Sequence, residues 1–97
     1  QDEETGPQTF LVNVTTTGFV PDVLTVHVHD TVQWMNARQG AKPDIALVIG
    51  AQLCSDIKSK TLKPGESHSV TFEKPRSCTV VDGVYTTMRG MTVTVVE

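Results

Sequence analysis

The sequence predicts an all-β domain, a Greek-key β-sandwich of about seven to eight short strands. Three observations lead there. Short runs with an apolar residue at every second position recur along the chain, separated by Gly, Pro and Asp turn signals. Apolar residues make up 38% of the chain and are dominated by Val, with one Trp, one Tyr and three Phe. That composition suits strands that bury one face and wet the other. The length of 97 residues supports one two-layer core and not two.

Taken in order, residues 1–8 (QDEETGPQ) are acidic and broken by Gly6 and Pro7, and read as a flexible lead-in to a domain spanning 9–97. Residues 9–15 alternate, with Phe10, Val12 and Val14 on one face. A bend over 16–21 carries Phe19 as a core anchor. Residues 24–29 form the next expected strand, with Leu24, Val26 and Val28 on one side and Thr25, His27 and His29 on the other. Asp30 and Thr31 turn the chain into 32–36, where Val32 and Trp34 share the inner face.

A polar loop over 37–42 ends at Pro43, and 44–49 reads as a strand. The stretch 50–62 has no period-2 pattern; 55–60 suits one short helical turn with Ser55 as its N-cap. Lys63-Pro64-Gly65-Glu66 is a turn signal before a strand over 67–73, with Val70 and Phe72 inward. A turn at 74–76 leads into the closing pair, a strand through 79–81 and another over 91–96, around an irregular turn that opens at Asp82-Gly83 and holds Tyr85 and Met88.

Charge and cysteine content narrow the function classes. A net charge of −3 with scattered Lys and Arg argues against nucleic acid and anionic membranes as partners. The longest apolar run, 46–49, is far too short to span a bilayer. Cys54 and Cys78 suggest one disulfide and an oxidising compartment, hence a secreted, cell-surface or periplasmic protein. Such a bridge closes a loop of about 25 residues and contributes on the order of 3.5 kcal/mol by loop-closure entropy. The alternative is two separate buried thiols. A start at Gln1 suggests a processed mature form or an excised domain. Asn13-Val14-Thr15 matches the glycosylation acceptor pattern.

Phe19-Val20-Pro21 with Leu24-Thr25-Val26 is followed by Asp30-Thr31-Val32-Gln33-Trp34-Met35-Asn36. Leu62-Lys63-Pro64-Gly65-Glu66-Ser67, Ser69-Val70-Thr71-Phe72 and Met88-Arg89-Gly90 continue the series. This ordered set resembles the cupredoxins, in particular the amicyanin- and plastocyanin-like members. The resemblance implies one-electron transfer through a type 1 copper held by two His, one Cys and a weak axial Met. Matched residue by residue, the first His falls on Asp44, directly after Pro43. The Cys falls on Asp82, the second His on Tyr85 and the Met on Met88. Only the methionine survives. Two carboxylates and a phenol are hard donors, and Cys78 lies roughly 13 Å up the strand from Asp82.

Two metal readings remain. Asp44, Asp82, Tyr85 and Met88 form either a repurposed site, for copper or for a hard cation such as Fe³⁺ or Ca²⁺, or a degenerate one. In the degenerate case the carboxylates are solvated or paired with Arg38, Lys42 or Arg89. His27 and His29, expected about 7 Å apart on one strand face, form either a surface chelate for Cu²⁺ or Zn²⁺ or a solvent-facing pair. His68 reads as a lone surface residue and Trp34 as core. There is no recognisable catalytic motif, so an enzyme is not expected. The reading that results is a cupredoxin-like extracellular binding or structural module without blue copper and without a cofactor. Its partner is another protein or a second copy of itself. The alternative is a metal-binding or electron-transfer protein with a non-standard ligand set.

Overall fold

A computed structural model describes residues 6–38, 44–51, 54–85 and 89–97. Eight strands are found among the described residues: β1 (Thr9–Val14), β2 (Phe19–Val20), β3 (Val23–His27), β4 (Thr31–Asn36), β5 (Val48–Gly50), β6 (Ser67–Thr71), β7 (Arg76–Asp82) and β8 (Met91–Val96). They form two four-stranded sheets, ordered β2-β1-β4-β6 and β3-β8-β7-β5. β1 runs parallel to β4 and β3 parallel to β8, while the remaining pairs are antiparallel. The expected all-β Greek-key sandwich is the observed fold.

The period-2 pattern holds wherever a strand buries one face. Val12 and Val14 of β1, Val32 and Trp34 of β4, and Val80, Val93 and Val95 of the second sheet meet in one core. Trp34 is fully buried, and its indole N–H donates to Met91 Sδ at 3.1 Å, so its polar atom has a partner inside the core. Full burial of each such side chain contributes about 1.5–3 kcal/mol. Phe19 is buried as expected, although the bend around it also forms the two-residue strand β2 against Asn13 and Val14.

Several boundaries differ from the sequence reading. The strand expected over 24–29 stops at His27, because a reverse turn intervenes. Asp30 N–H donates to His27 O at 3.0 Å, and His29 takes a left-handed φ of 81°. The strand expected over 44–49 is reduced to β5, with only Ala46 bridging to Leu62 before it. The helical turn expected over 55–60 is a single reverse turn in which Ile57 N–H donates to Cys54 O at 2.9 Å. The chain then extends, with Lys58 opposite Ile49 and Leu62 opposite Ala46, since pairing with β5 satisfies its backbone better than one isolated turn. β7 begins two residues before Cys78, at Arg76. Gln8, expected in the lead-in, is already held by the fold; residues 1–5 lie outside the described residues.

Besides these bridges, the irregular crossover between β5 and β6 is tied to β7 and pressed against β5. A disulfide joins Cys54 to Cys78 of β7. Gly50, at the end of β5, lies so close to the crossover that a Cβ there would stand 2.1 Å from Cys54 O and 3.0 Å from Ile57 Cβ. Gly50→Ala is therefore expected to lower stability by about 1–3 kcal/mol in urea unfolding. A midpoint equal to that of the wild type would mean the crossover does not press on β5.

Asp30 ties the opposite corner. Its carboxylate accepts N–H bonds from Gln8 at 2.9 Å and His27 at 2.8 Å, and it is buried. Those backbone donors hold the Asp30 carboxyl below its ordinary value of 3.8. A depressed folded pKa favours the native state when the group is ionised, so the contribution is present above the ordinary value. It is lost as pH falls through the lower folded value. The urea midpoint of the wild type should thus fall more steeply than that of Asp30→Asn between roughly pH 5 and pH 2. Parallel profiles would remove Asp30 from the acid response.

Candidate functional site

At the end of the sandwich where β4 and β7 finish, two of the matched positions, Asp82 and Tyr85, meet a buried arginine. β4 ends at Asn36, whose side-chain amide donates to Asp44 O at 2.8 Å and Leu62 O at 2.9 Å. Asn36 Oδ1 accepts the N–H of Arg38 at 2.9 Å, which turns the chain back and sends the arginine inward. Arg38 is only 1% exposed. Its Nε donates to Thr15 O at 3.1 Å, Nη1 to Ile45 O, and Nη2 to the Asp82 carboxylate.

Asp82 reaches this point because period-2 spacing from Cys78 and Val80 turns the last residue of β7 into the core. It is 1% exposed, and besides Arg38 it accepts N–H bonds from Val84 at 2.8 Å and Leu47 at 3.3 Å. Tyr85 lies against the other side of the arginine, with the guanidinium carbon 4.4 Å from the ring centroid. Gly83 between them packs against Leu47 and Ile49, where a Cβ would stand 2.7 Å from Leu47 Cδ2 and Ile49 Cδ1 and displace those side-chain tips.

Of the three cations named as partners for the carboxylates, Arg38 takes Asp82. Arg89 is exposed, and Lys42 and Met88 lie outside the described residues. Asp44 is half-buried and adjoins Ile45, whose carbonyl meets the guanidinium. Arg38 carried no motif; the signal that marks it is an arginine two residues after a buried strand-end Asn, within reach of an inward-facing Asp.

The residues present do not fit a type 1 copper. That centre needs a thiolate and two imidazoles, whereas Asp44, Asp82 and Tyr85 offer oxygen, and Asp82 is already bonded to three donors. Among the described residues no group of three or more His, Cys, Asp or Glu is gathered to hold a metal ion.

The histidines do not form the expected strand pair either. With β3 ending at His27, the His27 ring lies 3.9 Å from Asp30, while His29 sits in the turn, 3.4 Å from Glu73. His68, read as a surface residue, is half-buried opposite Trp34, and that desolvation lowers its pKa. Asn13 is half-buried in mid-strand between β2 and β4.

Fold and site together define a cupredoxin-like, amicyanin-like β-sandwich in which the described residues form no recognisable copper site. No protein-family model matches the chain, and no curated protein does so by sequence. Solved structures do match. A purple cupredoxin from Nitrosopumilus maritimus is similar with a TM-score of 0.77 at 16% identity, over 89% of this chain and 98% of that one. An oxidised amicyanin variant gives 0.72 at 20% identity, over 90% of this chain and 81% of that one. The copper-containing nitrite reductase of Thermus scotoductus SA-01 gives 0.80 at 21% identity over 91% of this chain. This chain spans only 22% of the reductase chain. At these identities the likeness is one of fold.

Proposed function

We propose that the chain is a non-redox cupredoxin-like module that works outside the cytoplasm as a binding or structural element. The observation that carries this reading is the buried Arg38–Asp82 pair at the corner where the resemblance implies copper. A lone guanidinium has no accessible second oxidation state, so this corner offers no electron-transfer step. The disulfide suits an oxidising compartment. No helix among the described residues is long and apolar enough to cross a membrane. The reading assigns the chain no catalytic role.

The partner in this proposal is another protein or a second copy of the chain. β2, β3 and β6 are sheet edges, and edges accept added strands; the outer edge of β5 is taken by the crossover. The acidic segment 1–8 precedes β1 and is the proposed reach toward a neighbour, with 9–97 as the folded module.

Two measurements test the proposal. Copper-loaded protein is expected to show no strong thiolate-to-copper absorption band, and elemental analysis of the purified protein no stoichiometric copper or iron; either signal overturns the non-redox reading. Light scattering after size exclusion is expected to show concentration-dependent association of the full chain that weakens when residues 1–7 are removed. Monomers in both cases at high concentration would overturn self-association.

A further inference from the structure

We infer that this corner is a binding site for a guanidinium group, filled by the chain's own Arg38. The inference rests on reading the corner as the end of the sandwich where copper is implied, and it concerns the ligand class for which the corner is now built. Three nitrogens of one planar cation meet three separate segments. Nε bonds Thr15 O after β1, Nη1 bonds Ile45 O before β5, and Nη2 bonds Asp82 at the end of β7. Tyr85, from the next loop, lies 4.4 Å from the guanidinium carbon.

The shape of this set is specific. An ammonium is a compact point charge and cannot span three segments at once, whereas a guanidinium presents donors in a fixed fork and stacks on an aromatic ring. The charge also balances, with one buried carboxylate against one buried monocation. A divalent ion would leave a net buried charge on the same donors. The carboxylate is oriented independently of Arg38, because Val84 and Leu47 hold its other oxygen. The acceptor is thus pre-set, and shortening Arg38 leaves a space shaped for a free guanidinium ion.

Chemical rescue tests this. Arg38→Ala is expected to melt about 15 °C or more below the wild type, because Asp82 is left buried without its cation. Millimolar guanidinium chloride should raise the midpoint of the variant in proportion to the logarithm of concentration. It should not raise that of the wild type. Sodium chloride, tetramethylammonium chloride and Cu²⁺ should not substitute for it. Arg38→Lys should stay destabilised.

If Arg38→Ala does not fold alone, the comparison reads folding itself. A β-sheet circular dichroism spectrum should then appear with guanidinium and be absent with sodium. Arg38→Met/Asp82→Leu, which removes both charges, should fold without any additive and show no response to guanidinium. Absence of rescue in Arg38→Ala, or stronger rescue by Cu²⁺, overturns the inference. The result is separable from the proposed function: failed rescue with no copper band leaves the non-redox reading intact, and a copper band in the wild type sinks that reading whatever the rescue shows.

Discussion

Asp82→Ala is expected to destabilise the domain by about 3–5 kcal/mol, a fifth or more of the roughly 5–15 kcal/mol typical of a domain this size. Coulomb attraction within the pair is only part of the reason. Removing the carboxylate leaves the Arg38 guanidinium buried without a counter-charge and takes the acceptor from the Val84 and Leu47 N–H groups. Each buried donor left without a partner adds a desolvation penalty of about 1–3 kcal/mol.

The pair need not be better than an apolar substitute. Replacing both partners, as in Arg38→Met/Asp82→Leu, should bring stability back to within about 2 kcal/mol of the wild type. Urea unfolding of the wild type, the two single variants and the double variant gives the coupling energy directly. A loss below about 1 kcal/mol for Asp82→Ala would mean that the corner relaxes enough to admit water, as at an exposed pair.

Removing the disulfide is expected to act on a different part of the molecule. Cys54→Ala/Cys78→Ala should cost about 3–5 kcal/mol, from the lost cross-link and the space left by two side chains that are each 1% exposed. Besides the bridge, hydrogen bonds to β5 and to Asn36 hold the crossover between β5 and β6 among the described residues. Its described backbone bridges Ile49 of β5 at Lys58 and Ala46, ahead of β5, at Leu62, and near its start Ala51 N–H to Thr79 O and the disulfide join it to β7. Asp56 adds a bidentate pair with Arg76 of β7, in which the carboxylate is exposed and the guanidinium half-buried.

The loss should therefore also be local. Amide exchange should accelerate at Ile57 and Ser59, which donate to Cys54 O and Val48 O, before it changes in β1 or β4. Uniform acceleration across both sheets would mean that the bridge acts only through the unfolded chain.

Much of the fold was readable before any coordinate. Strand β1, with Val12 and Val14 inward, and β4, with Val32 and Trp34 inward, follow from alternation alone, because a one-residue slip would put those side chains in water. The pairing of Cys54 with Cys78 was legible from the cysteine count, whereas the burial of Asp82 was not, because the sequence also allowed a solvated carboxylate. The strand end at His27 was not. Continued alternation through Val28 and His29 gives no hint that Asp30 folds back to bond His27, a choice made by the Asp30 contacts with Gln8 and Phe72 from distant parts of the chain.

The corner divides along the same line. From the sequence by itself came the scaffold, an all-β sandwich resembling the cupredoxins, and the loss of the thiolate and imidazoles at Asp82, Tyr85 and Asp44. Which cation those residues face was decided only by the tertiary structure. Arg38, Lys42 and Arg89 were equally good partners on paper, since charge pairing has no period and no spacing rule across loops. Asn36 settles the matter by holding the Arg38 backbone and turning its side chain into the space between Thr15, Ile45 and Asp82. Burial then makes that one pairing obligatory, because a guanidinium in the core requires a carboxylate and carbonyls within hydrogen-bond reach, and here they come from three segments far apart in the chain.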